Sequence, residues 1–250
     1  MASLPCGLAL AHDGHGHTGL DAHETPALLN PELSAAESRI RELLAAHPEL
    51  KARLAADLQF ASAARRDAAK AALIQSLRPE IESASGGHEM GASAAKAKVT
   101  VVTFFDYHCG SCKRAAHELL ELVRVDSDVR LVFKEWPMLG ADSRTAARAA
   151  LAARAQGRYA EFHSALMSAG GLFNEPRVLT IAQRSGLDVQ RLSREMQSPA
   201  LDQELDTTIG LSATLGLKGT PAFFVNGELL EGRNPARLRE LIARARITAH

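Results

Sequence analysis

Cys109 and Cys112 are the two side chains of this sequence that most clearly suggest chemical reactivity. They stand in "FFDYHCGSCKRA", where an apolar run ends and a helical pattern begins. Two thiols this close can bind a metal, form a structural disulfide or carry out redox chemistry. Structural zinc needs about four ligands, and the sequence has neither a second such pair nor histidines at zinc-finger spacing. A disulfide closing so small a loop constrains the unfolded chain little. The residues therefore favour redox chemistry.

The two thiols stand at the start of a predicted helix, and their positions there predict a different role for each. Cys109 faces unpaired N–H groups and the positive end of the helix dipole, which favour the thiolate, so we expect it to be the nucleophile. Gly110 and Ser111 keep the turn narrow, so that Cys112, one turn inward, can resolve a mixed disulfide. His108 either adds a positive charge or a hydrogen bond that favours the thiolate, or is simply solvated.

A second candidate component is the downstream stretch "GLKGTPAFFVNG". Pro221 stands just before a predicted strand, where its missing N–H is normally a liability. A cis bond between Thr220 and Pro221 would turn the backbone so that Thr220 exposes its amide and carbonyl. An extended substrate peptide could then pair with this segment beside Cys109. The alternative is a trans proline at the first residue of a strand.

The elements around these residues predict an α/β domain over residues 98–250. "VTVVTFF" is a short buried strand, a helix runs from Cys109 to about Val125, and "VRLVFKEW" is a second strand. Residues 141–217 are helical in pattern. Strands return around a hairpin turn at Asn226-Gly227, and a last helix has Asn234 as its cap and Pro235 at its first position. This order is that of a thioredoxin fold with a helical insertion at 141–217.

Residues 34–82 predict helices that precede this domain. Ser34 and Glu37 fit a capping box, and Pro48 suits the first turn of a second, long helix that reaches about Ile81. Its apolar stripe must be buried against its own domain or against another copy, and we expect a homo-oligomer through residues 34–82. "SASGGHEMGASAAKAK" reads as a flexible linker over residues 83–97.

Residues 1–33 combine a signal-like start with a tail of low apolar content. Ala9-Leu10-Ala11 has the form of a signal-peptidase site after a short apolar stretch without a positive n-region, so we expect a truncated secretion signal; the alternative is an ordinary terminus. The tail reads as disordered. Its imidazoles either bind copper or zinc or merely belong to a linker; they are His12, His15, His17 and His23.

The overall composition argues against a nucleic-acid-binding protein and against a membrane-spanning one. The 250 residues carry 29 basic and 29 acidic side chains, a formal net charge of +0. Such a balance, with no dense basic stripe, gives no electrostatic case for nucleic acid as a partner. No apolar run approaches the ~20 residues that a membrane-spanning helix needs.

Together, "FFDYHCGSCKRA", "FKEWPMLG" and "GTPAFFVNG" resemble the DsbA-like thiol–disulfide oxidoreductases of the bacterial cell envelope, over roughly residues 98–246. "SRIRELLAAHPELKARL" further resembles the copper-sensitivity suppressor ScsC group, whose N-terminal helices mediate oligomerisation. The resemblance implies a thioredoxin fold, Cys109 as nucleophile, Cys112 as resolving thiol and a cis Pro221 with Thr220 in contact with substrate. It also implies a periplasmic location, cysteine-containing protein substrates and a membrane redox partner.

The residues around the motifs bear on the direction of electron flow. Threonine before the proline is similar to the disulfide isomerases of the group, which favours isomerase or reductase work. Gly110-Ser111 and His108 depart from the dipeptide and the asparagine common among relatives, and these positions tune the redox potential. Glu135 either acts in proton transfer below the dithiol or is a surface carboxylate at a strand end.

The sequence thus predicts an envelope thiol–disulfide oxidoreductase with no cofactor beyond its Cys109–Cys112 disulfide. The alternative is a copper-binding or copper-tolerance protein that uses the dithiol and the tail histidines, since thiolates favour Cu(I). A glutathione-using transferase is a third interpretation, and the second cysteine argues against it.

Overall fold

The computed structural model describes residues 31–248, with side chains from residue 34 onward. The chain divides between Phe60 and Ala61 into two compact units. The described helices are α1 (Pro31–Ala46), α2 (Pro48–Ser76), α3 (Arg78–Glu82), α4 (Gly110–Val125), α5 (Ala141–Ala153), α6 (Tyr159–Ser168), α7 (Glu175–Arg184), α8 (Val189–Glu195), α9 (Pro199–Thr214) and α10 (Pro235–Thr248). The strands are β1 (Gly87–Gly91), β2 (Val99–Phe105), β3 (Val129–Glu135), β4 (Ala222–Val225) and β5 (Glu228–Glu231).

The five strands form one mixed sheet in the order β1-β3-β2-β4-β5. β2 and β3 are parallel, with Val99 opposite Val129 and Phe105 opposite Glu135, and the other pairs are antiparallel. Both central strands are buried along their whole length, as expected for parallel strands with both faces covered. The two strands consequently end side by side, which places the residues after β2 next to the end of β3.

Helices cover both faces of the sheet. Alternate residues of β2 belong to two different apolar clusters. On one face, Val101 and Phe105 pack with α4, α10 and the helices between β3 and β4. Val102 and Phe104 pack on the opposite face with Ile74 of α2. The predicted insertion at 141–217 is confirmed, since α5 to α9 occupy it. The thioredoxin-type order of strands and helices is confirmed as well.

The predicted hairpin and the last helix agree with the structure. Asn226 and Gly227 form a two-residue turn with φ values of +46° and +87°, which suits the turn type that Asn-Gly favours. The Asn226 side chain also accepts a hydrogen bond from the Thr100 amide at 2.8 Å, tying the turn to β2. Asn234 caps α10, because its Oδ1 accepts from the Arg237 amide at 3.0 Å.

The prediction of a flexible linker over residues 83–97 is wrong for residues 87–91. These form β1, which pairs antiparallel with β3. A Cβ on Gly87 would lie 1.6 Å from the Phe133 carbonyl oxygen, so the glycine permits a close backbone approach rather than flexibility. Arg130 on β3 adds an ion pair, donating from Nε to Glu89 at 2.8 Å.

Two helix boundaries also differ from prediction. α1 begins at Pro31, so Ser34 lies inside the helix and is not its cap; its carbonyl accepts from the Ser38 hydroxyl. The long helix ends at Ser76, and the separate α3 carries Pro79 in its first turn, where proline is tolerated. None of the described helices has the length and apolar character to cross a membrane.

Gly87→Ala should destabilise the protein by more than about 2 kcal/mol, because the new Cβ must displace backbone of the central sheet. The midpoint of urea unfolding measures the effect. Gly170→Ala is the matched control, since a Cβ there meets nothing within 4 Å. Equal midpoints for the two variants would contradict the close packing of β1 on β3.

Candidate active site

Cys109 lies at the end of the β2 loop and caps the N-terminus of α4. Its backbone is extended, with φ −73° and ψ 111°, and the helix begins at Gly110. The Cys112 amide donates to the Cys109 Sγ at 3.3 Å, in the way that a capping side chain accepts from the third residue beyond it. The predicted position of the pair at a helix start is thus confirmed, and the Cys109 sulfur occupies the positive end of the helix.

Two further contacts define the surroundings of the Cys109 sulfur. The Ser111 Oγ lies 3.1 Å away, and the Thr220 carbonyl oxygen, 3.3 Å away, accepts a hydrogen bond from the thiol form. The pKa of Cys109 is lowered to about 5, first by the hydrogen bond from the Cys112 thiol and further by that from Ser111, while burial opposes the shift. Cys109 is therefore a thiolate at neutral pH.

Cys112 has the opposite character. It is 2% exposed, against 8% for Cys109, and both are free thiols. Its pKa is raised, first by its hydrogen bond to Cys109 and then by burial. One thiol of the pair is thus ionised and at the edge of solvent, and the other stays protonated beneath it.

The Thr220–Pro221 segment lies against the dithiol although more than a hundred residues separate them in sequence. The peptide bond between them is cis, as predicted, and β4 follows directly at Ala222. Thr220 presents its carbonyl to Cys109, and Pro221 lines a small cavity together with Cys112. The structure therefore brings together the two motifs that the sequence singled out.

His108 is held by side chains that the sequence did not single out. The Ser143 hydroxyl donates to Asp106 Oδ1 at 2.8 Å, so the hydrogen bond of 2.9 Å between His108 Nδ1 and Ser143 Oγ is donated by the imidazole. Asp106 also accepts from the His108 amide at 2.7 Å. Asp106 and Ser143 thus orient the ring, and the contacts of the Cys109 Sγ do not include it. Asp106, an acidic residue three positions before the nucleophile, is the sequence signal that could have predicted this arrangement.

Glu135 is buried, 1% exposed, so the alternative of a surface carboxylate is wrong. Its Oε1 accepts hydrogen bonds from the hydroxyls of Tyr107 at 2.9 Å and Tyr159 at 2.7 Å. Burial raises the pKa of Glu135 to about 8, although both tyrosines oppose the shift. Sequence reasoning missed both tyrosines. Tyr107 stands two residues before Cys109 and was available as a signal, whereas Tyr159 reaches the site from the helical insertion.

The described residues contain no cluster of three or more histidine, cysteine or acidic side chains that could hold a metal ion. The histidines of the tail and the signal-like start lie outside the described residues. Copper binding by the dithiol and the tail therefore stays a prediction from sequence.

Comparison with known proteins places this geometry in a family. Residues 100–243 match the DSBA-like thioredoxin domain. The chain belongs to this family. Among curated proteins, this DSBA-like chain is 30% identical over 139 residues to the Na(+)/H(+) antiporter NhaA 1 of Salinispora arenicola. It spans about one fifth of the length of that relative, since the match covers 55% of the chain and 21% of the antiporter.

Solved structures of DSBA-like and thioredoxin-like proteins agree with the fold. A thioredoxin-like oxidoreductase of Silicibacter pomeroyi is 45% identical, with a TM-score of 0.60, covering 64% of this chain and 92% of that one. The thiol-disulfide exchange protein α-DsbA2 of Wolbachia pipientis is 26% identical, with a TM-score of 0.66 and coverages of 72% and 97%. A linker-deletion variant of Proteus mirabilis ScsC shares the fold at 22% identity, with a TM-score of 0.66 and coverages of 89% and 98%.

Ser111→Ala should raise the pKa of Cys109 by about 1, because one hydrogen bond to the thiolate is lost. The thiolate absorbance near 240 nm, followed from about pH 3 to 9, reports this pKa directly. Ser168→Ala is the control, since that hydroxyl bonds within α6 to the Ser164 carbonyl. An unchanged midpoint in Ser111→Ala would show that the hydroxyl does not stabilise the thiolate.

Proposed function

We propose that the protein is a thiol–disulfide oxidoreductase that exchanges disulfides with protein substrates through Cys109. One observation carries the proposal: a sulfur with its pKa lowered to about 5 at a helix start, with a protonated partner thiol behind it and the Thr220 carbonyl beside it. Both the family and the similar oxidoreductase of known structure support this activity.

The chemistry runs in two balanced steps. The Cys109 thiolate attacks one sulfur of a substrate disulfide, the substrate S–S bond breaks, and one substrate sulfur leaves as a thiolate. The resulting mixed disulfide joins Cys109 to the substrate. Cys112 then loses its proton and attacks Cys109, and the second substrate sulfur leaves as a thiolate. Two electrons have passed to the substrate, and the protein holds a Cys109–Cys112 disulfide; the reverse sequence oxidises a substrate dithiol.

The surroundings of Cys109 suit a protein substrate in an extended conformation. Thr220 precedes β4 and offers its backbone next to the nucleophile, so a substrate strand can pair there. Met138 and Leu139 are 41% and 52% exposed, and the Leu139 amide donates to Asp106 of the active-site loop at 2.9 Å. These apolar side chains at the rim favour cysteine-containing segments of incompletely folded proteins.

We propose that the protein acts mainly as a disulfide isomerase or reductase. Threonine before the cis proline motivates this choice. The low pKa of Cys109 supports the isomerase direction, whereas a stabilised reduced form makes the dithiol a weaker reductant. An isomerase must present a free thiolate, and a lowered pKa stabilises the reduced form that carries it. The dithiol's redox equilibrium with glutathione, measured beside refolding of a scrambled substrate, tests the direction. A dithiol that oxidises reduced proteins rapidly yet fails to unscramble would make the protein an oxidase.

The proposed location is the periplasm, with a membrane protein as the redox partner. Protein disulfides that need isomerisation or reduction form and persist mainly in oxidising compartments, and the sequence contains a signal-like stretch near Ala9-Leu10-Ala11. A dithiol that works as a reductase or isomerase must be returned to its reduced form, which requires an electron donor that reaches the same compartment.

Replacing Cys109 by serine should abolish insulin reduction, with a loss of at least about 100-fold, because no thiolate remains to attack. Cys112→Ser should instead accumulate mixed disulfides with the substrate, which mass spectrometry of the intact protein detects. Cys6→Ser is the control cysteine substitution and should keep the wild-type rate. Insulin reduction that survives in Cys109→Ser would refute the proposed function.

We further propose that the N-terminal helices join copies of this chain. Large apolar side chains on α1 and α2 are exposed in the single chain: Ile40, Leu43, Leu50, Leu54, Leu58 and Phe60. A second copy offers the same surface, so the stripes can bury each other.

Light scattering of the full chain should therefore give a mass well above 26.7 kDa. The variant Leu50→Ser/Leu54→Ser/Leu58→Ser should shift the mass toward that of a monomer, because each substitution removes apolar surface that association would bury. A matched set on the opposite, exposed face of the same helix, Ala52→Ser/Ala55→Ser/Ala56→Ser, should leave the mass unchanged. A wild-type monomer at micromolar concentration contradicts the proposed association.

A further inference from the structure

A small cavity lies behind the dithiol, beneath Cys112. Its volume of about 10 Å³ is near the minimum that holds one water molecule. Cys112 and Pro221 line it from the active-site side, and His163 of α6 lines it from the helical insertion. The remaining walls are apolar apart from Thr103, so His163 is the titratable side chain that shares this cavity with the resolving thiol.

His163 is 1% exposed, and its Nε2 has no hydrogen-bond partner. The ring is fixed by stacking on Tyr159, with centroids 5.6 Å apart, and by edge contact with Phe105. Its Nδ1 lies 3.0 Å from the Tyr107 hydroxyl. Because Nδ1 is engaged with Tyr107, Nε2 is the nitrogen left for the cavity. A buried polar atom without a partner is costly, and a role in catalysis explains its retention.

The hydrogen bonds to Glu135 determine the tautomer of His163. The Tyr107 hydroxyl donates its hydrogen to Glu135 Oε1, so its oxygen can only accept from His163 Nδ1–H. Nε2 then carries a lone pair, not a hydrogen. Burial first, and His88 second, lower the pKa of His163 to about 3, which keeps the ring neutral at physiological pH. The site therefore places a proton acceptor on a side chain that lines the same cavity as Cys112.

We propose that His163 and Tyr107 relay the proton of Cys112 to Glu135 during resolution of the mixed disulfide, an inference that rests on the proposed function. The Cys112 proton moves to His163 Nε2 through one water in the cavity. The Nδ1 proton of His163 passes to Tyr107, and the Tyr107 proton passes to Glu135. The Cys112 sulfur forms its bond to Cys109, the bond from Cys109 to the substrate breaks, and the substrate leaves as a thiolate.

This relay changes the tautomer of His163 without creating an imidazolium. The low pKa of the ring is therefore no obstacle, since the proton comes to rest on the carboxylate. Burial, which raises the pKa of Glu135 to about 8, makes the carboxylate a better base than an exposed glutamate. Ionised Glu135 becomes more abundant as the pH rises through about 8, so the resolution step should accelerate over the same range.

Other charged or titratable groups face the relay from the surrounding elements. Asp106 raises the pKa of Glu135 and Arg154 lowers it, while His88 stacks on Tyr159 with centroids 4.4 Å apart. These groups are the same in the two variants compared below, so they cannot account for a difference between them.

Two tyrosine variants separate a relay from a structural role. Tyr107 and Tyr159 are both buried and both donate to the same oxygen of Glu135, but only Tyr107 also bonds to His163 in the structure. Each Tyr→Phe change removes one hydrogen bond from the carboxylate and should move the pH dependence upward. Tyr107→Phe should in addition lower the rate plateau at high pH by at least about 10-fold, because it cuts the path of the proton.

The probe is Ellman's reagent in stopped flow, in a Cys6→Ser background, from about pH 6 to 10. Attack by Cys109 releases a first thionitrobenzoate, and attack by Cys112 on the mixed disulfide releases a second. The ratio of the second rate to the first isolates resolution from the reactivity of Cys109. His163→Phe, which keeps a ring but removes both nitrogens, should lower this ratio as far as Tyr107→Phe does.

The outcomes are distinguishable. A low plateau in Tyr107→Phe together with a retained plateau in Tyr159→Phe supports the relay, even if His163→Phe does not fold. Equal plateaus in the two tyrosine variants overturn it, as does a wild-type ratio in a folded His163→Phe. Failure of the wild-type dithiol to release the first thionitrobenzoate would instead remove the proposed function itself.

Discussion

The hydrogen bonds that the Cys109 sulfur accepts from Cys112 are the interaction on which the site depends. Cys112 supplies both its amide and its thiol, so a single residue stabilises the nucleophile as an anion and remains protonated itself. This arrangement requires that α4 begin at Gly110 and that the sulfur replace a capping oxygen. A shift of the helix start by one residue would remove the amide from reach, and the two thiols would lose their opposite acidities.

The parallel pairing of β2 with β3 extends this site into the core. β2 leads into Asp106 and Tyr107, and β3 ends at Glu135 in register with Phe105, so a buried carboxylate lies next to the loop that carries Cys109. The helical insertion then adds Ser143 to orient His108, and Tyr159 to hold Glu135. The insertion is therefore part of the active site and not merely a cover for one face of the sheet.

Local sequence patterns predicted the order of elements, the dithiol at a helix start, the cis proline and the Asn226-Gly227 turn, because each depends on a few neighbouring residues. What they missed depends on distant partners. β1 exists because Gly87 admits the β3 backbone, which a Gly- and Ser-rich composition cannot reveal. Glu135 at a strand end has the pattern of a surface residue. It is tolerated in the core because the hydroxyls of Tyr107 and Tyr159, 28 and 24 residues away, donate to it. Asp106 gave a signal, but its partner Ser143 could be found only in three dimensions.

The perturbed acids of the site affect stability in opposite directions. The pKa of Cys109 is lowered from 9.0 to about 5, so it stabilises the reduced fold fully above about pH 9, and this contribution is lost as the pH falls through about 5. The pKa of Glu135 is raised from 4.5 to about 8, so its contribution is present below about pH 4.5 and is lost as the pH rises through about 8. At neutral pH the thiolate therefore stabilises the reduced protein, while Glu135 is still mostly protonated and has lost part of its contribution. Formation of the disulfide removes the thiolate and its stabilisation. The thiolate therefore favours the reduced dithiol over the disulfide, which preserves the free nucleophile that an isomerase needs but weakens the dithiol as a reductant.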